Sequence, residues 1–291
     1  MTEPSPFAAA SSFRAPTDGL MGRLQNRLAN SRPIKALLRT IMKRLPFAVL
    51  ESDVRDVIYA NWVVPAEAVA DLVPPGVEIV QVDGHTILTI LTYAHGHFGP
   101  ALAGSGRRLF PSPRQSNWRL YVTGIGAASP TKPTVLFLAN IFDSALYAVG
   151  TRLFSDVMLA HHAHNFRHGR QGDIWTTGVE SAGSAPDWLI RVRDTESATI
   201  PPEFRPFFAT YADALNSLCL QDAAIAPVDG MAALAIAEID LPIAIESCVP
   251  MLVETYRPGS LLDRIGATSE PFCFRVPKVR FRALSEHLIT I

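Results

Sequence analysis

Lysine is scarce in this chain of 291 residues: of 26 basic side chains only four are lysines, Lys35, Lys43, Lys132 and Lys278. Any chemistry that needs a lysine therefore has few candidates. Cysteine is scarce too, since Cys219, Cys248 and Cys273 are widely spaced and form no C-x-x-C pattern. This spacing argues against a disulfide framework and a thiolate zinc site, and it favours a reducing, cytoplasmic location.

The chain also lacks an excess of charge and a long apolar run. Its 26 basic and 27 acidic residues give a net charge of -1, which excludes a nucleic-acid-binding protein on charge alone. The most apolar stretch, residues 231–253, is interrupted by Glu238, Asp240 and Glu246, so we expect no membrane span. Nucleophile elbows, phosphate loops and dinucleotide fingerprints are absent from the sequence.

Charge is nevertheless uneven, because residues 1–50 hold eight basic and two acidic residues. Residues 1–17 are rich in Ala, Ser and Pro, and they indicate a disordered lead-in. Residues 18–45 predict two basic amphipathic helices, one starting after Asp18 and one after an interruption at Pro33. We consider two roles for these helices. They would attach reversibly to an anionic membrane surface or, as we favour, dock on the acidic body of the protein and present a basic face to solvent.

Residues 51–291 predict a second unit, the body of the protein. From residue 53 the chain alternates short β-rich runs with turn signals, and Asp83-Gly84 predicts a two-residue hairpin turn. The expected strands are 54–64, 77–82, 86–97, 117–123, 134–143, 173–180, 188–194 and 272–284, and the expected helices are 65–73, 144–167 and 201–220. Successive hairpins with few helices predict an α+β fold, mainly an antiparallel β-barrel with appended helices. Residues 99–116 predict an irregular loop that covers or binds a ligand.

Three segments of this body match a known pattern. They are VIYANWVVPAEAVADLVPPGVEIV at 57–80, SNWRLYV at 116–122 and AVGTR at 148–152. Their order and spacing resemble the acetoacetate decarboxylase superfamily, most closely a poorly characterised bacterial branch. The resemblance covers roughly residues 53–200 and implies a cone-like barrel around a small-molecule cavity.

For true decarboxylases the resemblance also implies a lysine that forms a Schiff base with a β-keto acid. The matching position here is Met158 or, with a shifted alignment, Leu159, Ala160 or His161. The family's glutamate falls at Thr89 and its arginine at Val63. Since no lysine lies between Lys132 and Lys278, we expect chemistry that does not depend on lysine.

Two strands offer polar side chains for such chemistry. Asn117, Arg119 and Tyr121 share one face of a strand, where Arg119 would anchor a carboxylate or stabilise an enolate oxygen. Alternatively, this polar face is simply the solvent-exposed side of a half-buried strand. His95 and His97 end another strand, and either one is a candidate general base, although exposed strand-end residues are the more common outcome.

The densest cluster of histidines is His161, His162, His164 and His168. On a helix, three of these imidazoles would converge and could bind a divalent metal. The absence of a nearby acid and the flanking arginines favour an ordinary helix end, so we predict neither a metal nor a cofactor. His161 and His162 are candidate pocket residues on a separate ground, because they lie near the family's lysine position.

The sequence therefore predicts a lysine-independent enzyme acting on a small carbonyl or carboxylate compound by lyase, hydratase or cyclase chemistry. The alternative is a non-catalytic barrel that binds an apolar small molecule. We expect Arg119, His95 and His161 to be catalytic, and the residues expected to contact the substrate are Trp62, His97, Asn117, Tyr121, Met158 and His162. A homo-oligomer is left open by the sequence.

Overall fold

The computed structural model describes residues 12–290, so the amino-terminal part of the expected lead-in lies outside the described residues. The helices are α1 (Leu20–Ala29), α2 (Arg32–Met42), α3 (Ala145–Phe154), α4 (Tyr211–Cys219) and α5 (Ser260–Arg264). The first strands are β1 (Leu50–Pro65), β2 (Val77–Ile79), β3 (His85–Ala94), β4 (Gly99–Pro100), β5 (Arg114–Ile125), β6 (Thr134–Phe142) and β7 (Ala160–His162). The others are β8 (Asn165–Gln171), β9 (Ile174–Glu180), β10 (Trp188–Asp194), β11 (Ala223–Pro227), β12 (Ala233–Asp240), β13 (Val249–Pro258) and β14 (Phe272–Thr290). Short 3-10 helices cover Ala66–Leu72, Ala101–Leu109, Pro202–Phe204 and Ile245–Ser247.

Within the described residues the main sheet closes into a ring. Following the hydrogen bonds, its order is β1-β3-β5-β6-β11-β12-β14, and β14 pairs again with β1. These pairs are antiparallel except β6 with β11. A flanking sheet of β13, β10, β9 and β8 continues from β14. The predicted mainly antiparallel β fold with added helices is thus confirmed.

Alternation along the ring strands divides the apolar residues between two faces. On β1, Val57 and Tyr59 pack with residues of α4, whereas Ile58 and Trp62 belong to a second cluster. That second cluster includes Trp188 and its neighbours on the flanking sheet. The ring therefore buries one face towards its interior and the other against the flanking sheet.

Most expected strands agree with the structure within a few residues, and Asp83 and Gly84 form the expected hairpin turn with φ of 49° and 74°. The stretch 99–116 is more regular than expected, because a 3-10 helix fills Ala101–Leu109 and β5 begins at Arg114. Strands β11, β12 and β13 were not predicted. All residues of β11 and the first five of β12 are apolar, so no alternation marked these two strands.

The expected helix over 144–167 is wrong beyond Phe154. There α3 ends, and the chain continues as β7 and β8. Just past this end the Glu286 carboxylate accepts hydrogen bonds from Ser155 Oγ and from the Asp156 backbone N–H, both at 2.6 Å. Residues after the break pair as a hairpin around Gly172, whose φ of 63° suits a turn.

Residues 18–45 form two helices, as expected, but Pro33 lies in the first turn of α2 rather than between the helices. Ser31 Oγ caps α2 by accepting the Ile34 backbone N–H at 3.4 Å. Both helices pack against α3. No helix in the described part of the chain is long and apolar enough to cross a lipid bilayer.

Candidate active site

A cavity of about 540 Å³ occupies the interior of the ring. Every ring strand supplies part of its wall, through Tyr59, Leu91, Asn117, Arg119, Phe137, Ala224, Ala237 and Phe281 among others. Its opening is bordered by α3 and by Phe47 and Phe110. This volume lies within the roughly 300–1,000 Å³ typical of small-molecule sites. Most of the wall is apolar, so its few polar groups decide which ligand fits.

Arg119 is the main polar group of the cavity. Its side chain is buried, and its guanidinium carbon lies 5.6 Å from the ring centroids of Tyr59 and of Tyr121. Nη2 donates a hydrogen bond to the Leu218 carbonyl at 2.6 Å, while Nε has no partner. Burial acts to lower the pKa of Arg119, but Tyr121 and Tyr59 outweigh it and raise the pKa.

No acidic side chain among residues 12–290 forms an ion pair with Arg119. A buried cation without a counter-charge is costly, and a carboxylate or oxyanion on a ligand would relieve that cost. Because arginine stays protonated and carries a rigid fork of N–H donors, Arg119 suits such a ligand. The structure therefore places a buried cation on the cavity wall, and its role as an anchor stays a prediction.

Asn117 also lines the cavity, and it begins a chain of buried hydrogen bonds. Asn117 Nδ2 and Gln115 Nε2 both donate to Asn140 Oδ1, at 2.8 and 3.1 Å. Gln115 Oε1 in turn lies 2.9 Å from His95 Nε2, and His95 Nδ1 lies 2.8 Å from Ser52 Oγ. Asn117 Oδ1 is left without a partner, so it remains available to accept a hydrogen bond from a ligand.

Glu286 is a cavity residue that the sequence analysis missed. Burial raises the pKa of its carboxyl group, and the hydrogen bonds from Ser155 and Asp156 act against that shift. Glu286 lies on β14 beyond the predicted end of that strand at residue 284, so no alternation pattern assigned it to a face. A carboxyl group with a raised pKa in a cavity is a candidate proton carrier.

The structure does not place His95 or His161 on the cavity wall. Both ring nitrogens of His95 are engaged, and its ring stacks on Phe98 with centroids 4.4 Å apart. Burial lowers the pKa of His95 to about 4. His161 borders a separate space of only about 30 Å³, its Nδ1 lies 2.7 Å from Ser184 Oγ, and burial and Arg152 lower its pKa to about 3.

The remaining histidines of the sequence analysis also lie away from the cavity. His97 has a left-handed backbone with φ of 54°, and its N–H donates to Ser112 Oγ at 3.0 Å. The pKa of His162 is lowered by burial and by His164. The metal site considered from the sequence required these histidines to share a helix. It does not form in that way, because His161 lies on β7 and His168 on β8. No cluster of three metal-ligating side chains gathers among residues 12–290.

Three further residues expected to contact the substrate differ in their position relative to the cavity: Met158, Tyr121 and Trp62. Met158, at the position aligned with the family's lysine, lines the cavity. The Tyr121 ring lies beside Arg119, and its hydroxyl donates towards the Leu218 carbonyl at 3.2 Å. Trp62 does not line the cavity, because it lies on the opposite face of β1 from Tyr59 and packs edge-on against Trp188.

None of the four lysines is among the residues that line the cavity. Lys132 is half-exposed and pairs with Glu238, and Lys278 is exposed. Lys35 differs from the expected solvated helix face, since it is buried 3.7 Å from Asp229. Burial and Arg152 lower the pKa of Lys35, while Asp229 opposes them. Lys35 is therefore the lysine whose reactivity most needs a direct test.

The buried His95 predicts a pH-dependent stability. Its folded pKa of about 4 lies below the ordinary 6.5, so the unfolded chain binds this proton more readily. The free energy of unfolding that neutral His95 contributes is therefore fully present above pH 6.5 and is lost as the pH falls towards 4. Between pH 7 and 5 we expect about 2 kcal/mol of loss from this residue in urea unfolding. His95→Gln should reduce the pH dependence, and the exposed control His287→Gln should not; equal behaviour would refute the assignment.

The ring of strands around its cavity has an acetoacetate decarboxylase-like fold, as comparison with solved structures shows. The enduracididine biosynthesis enzyme MppR complexed with pyruvate is 14% identical, with 84% of this chain and 91% of that chain covered and a TM-score of 0.53. An acetoacetate decarboxylase-like enzyme from Sphingomonas wittichii RW1 is 8% identical, with 84% and 94% covered and a TM-score of 0.52. A structure of acetoacetate decarboxylase is 11% identical, with 84% and 90% covered and a TM-score of 0.51.

The chain belongs to the DUF2071 family, whose description is "uncharacterized conserved protein" and whose model matches residues 51–208. The resemblance read from the sequence is thereby confirmed. A search of curated proteins finds no match. Since these three solved structures are under 25% identical to this chain, they establish the fold, and the chemistry has to be argued from the cavity.

Proposed function

We propose that this protein is a lysine-independent enzyme of the acetoacetate decarboxylase-like superfamily, acting on a carboxylate or carbonyl compound in the interior of a strand barrel. The observation that carries the proposal is the buried guanidinium of Arg119, which faces the cavity without an acidic partner among the described residues. Arg119 would hold a ligand carboxylate or stabilise an enolate oxygen.

Glu286 takes the role of proton carrier in this proposal, in place of His95 and His161. A carboxylate that removes a proton next to a carbonyl group sends the bond's electron pair to the carbonyl oxygen, where a cation stabilises the charge. Lyase, hydratase and cyclase reactions that pass through an enolate share this step. The placement of lysines supports the proposal, because none lines the cavity.

The test uses proton exchange in heavy water, followed by NMR on pyruvate and on longer 2-oxo acids such as 2-oxodecanoate. We expect exchange at the carbon next to the carbonyl, slowed about 10²- to 10⁴-fold in Glu286→Gln. The exposed control Glu196→Gln should exchange at the wild-type rate. Borohydride added with the same acids should leave every lysine unmodified by mass spectrometry.

Two results would overturn the proposal. A reduced adduct on Lys35 or another lysine would contradict lysine independence, and an unslowed Glu286→Gln would remove Glu286 from the chemistry. Binding of these acids without exchange would instead support the second candidate, a non-catalytic binding protein. The mostly apolar cavity wall is the observation that favours this second candidate.

A further inference from the structure

Helix α2 turns its apolar stripe away from the protein. The residues facing outward are Ile34, Leu37 and Ile41, with Leu37 61% exposed, and Leu45 just beyond the helix is 55% exposed. The side turned to the body carries Lys35, which is buried, together with the half-buried Leu38, Arg39 and Met42. A helix docked on a folded domain normally buries its apolar stripe and exposes its charges. This orientation leaves an apolar ridge that the described chain does not cover.

Helix α1 extends the same surface. Leu20 and Met21 are 80% and 65% exposed, and Leu24 is exposed as well. The basic residues of these helices only partly serve to dock them on the body: Arg32 and Lys35 pair with Asp229, and Arg39 pairs with Asp156. This docking agrees in part with the interpretation that the sequence favoured, although the exposed side is apolar as well as basic.

Positive charge surrounds the exposed stripe. Residues 20–45 contain seven basic residues and no acidic one. Four of them, Arg23, Arg27, Lys43 and Arg44, are exposed, and none forms an ion pair with another described residue. An apolar stripe flanked by free cations is the pattern of helices that lie in the interface of an anionic bilayer.

The stripe leads directly to the mouth of the cavity. Met42, in the last turn of α2, and Phe47, just beyond it, line the cavity. Phe47, Phe110, Leu146 and Phe154 both line the cavity and are exposed to solvent, Leu146 by 72%. The apolar surface of the helices thus continues across the cavity rim into the apolar cavity wall.

We propose that α1, α2 and this rim form a docking surface for an anionic membrane, from which the cavity takes up a carboxylate with an apolar tail. Docking rests on the helices and the rim alone, whereas the identity of the ligand rests on the proposed function. The tail would lie against the apolar wall and the carboxylate would reach Arg119. The rim would face the lipid, so the ligand need not cross water.

The experiment is sedimentation of the full chain with phosphatidylcholine vesicles, with and without phosphatidylglycerol. We expect binding only to the anionic vesicles, weakened by high salt because salt screens the exposed cations. Leu37→Glu combined with Ile41→Glu should weaken binding more than about tenfold, since two apolar side chains no longer enter the bilayer. Leu252→Glu, at an exposed leucine of β13 outside this surface, is the matched control and should bind like the wild type.

Failure of the wild-type protein to bind anionic vesicles would overturn the docking proposal, as would equal binding by the double variant. A dimer in analytical ultracentrifugation that the double variant abolishes, without vesicle binding, would assign the stripe to a second copy instead. Decanoate titration separates the two proposals. Vesicle binding without decanoate binding would refute the ligand and leave docking intact, and the reverse result would refute docking alone.

Discussion

Replacing Arg119 with methionine should abolish the preference of the cavity for a carboxylate. The matched probes are decanoate and decanol, which share a tail and differ in the charged group. Loss of one partner of a buried charge pair costs roughly 2–5 kcal/mol, so decanoate should bind about 30-fold more weakly or worse. Decanol, which needs only the apolar wall, should bind nearly unchanged. Isothermal titration calorimetry measures both affinities.

The same substitution should leave the fold intact or make it more stable, because it removes a buried cation that has no acidic partner among the described residues. Tyr121 remains as a donor to the Leu218 carbonyl. Arg191→Met, on the exposed face of β10, serves as the control and should change neither affinity. If Arg119→Met or the alternative Arg119→Gln still prefers decanoate to decanol, Arg119 does not anchor the carboxylate.

Trp62→Ala should have the opposite effect, a large loss of stability with ligand binding retained by the folded fraction. Trp62 is fully buried, its ring lies 6.2 Å from that of Trp188, and its Nε1 donates to the Ser269 carbonyl at 3.0 Å. Truncating a buried tryptophan leaves a cavity and costs about 3–5 kcal/mol. Urea unfolding at neutral pH measures the loss.

Trp62→Phe provides the graded comparison, since it keeps an aromatic ring and should lose less stability. Decanoate affinity should match the wild type in any variant that stays folded, because Trp62 lies on the face of β1 away from the cavity. Weakened decanoate binding by folded Trp62→Phe would show instead that this tryptophan contacts the ligand, as its sequence position first suggested.

The strands of the first half of the body could be predicted because their signals are local. Alternating side chains and the Asp83-Gly84 turn define β3 within a few residues. The extended helix over 144–167 could not be excluded in this way. The segment just past the observed helix end is held by Glu286, which lies 130 residues away from Asp156 along the chain. A contact between such distant residues leaves no pattern in either segment.

The candidate site, like the fold, could be predicted only where the signal lies within a single strand. Strand parity on β5 correctly grouped Asn117 with Arg119, and both line the cavity. The same reasoning could not tell which face of β1 is the inner one, so Trp62 was assigned to the wrong side. Histidines attracted attention through their chemistry, yet packing buries His95 and His161 outside the cavity, where desolvation keeps them neutral.

Ring closure has a further consequence for how this chain folds. The first strand of the body pairs with the last, from Leu50 with Ala283 to Asn61 with Phe272. Such pairing joins segments more than 200 residues apart, and contacts of that range form slowly. During synthesis β1 must wait with one hydrogen-bonding edge open until β14 emerges, and open edges invite aggregation. The ring around the cavity therefore cannot close until β14 has been synthesised.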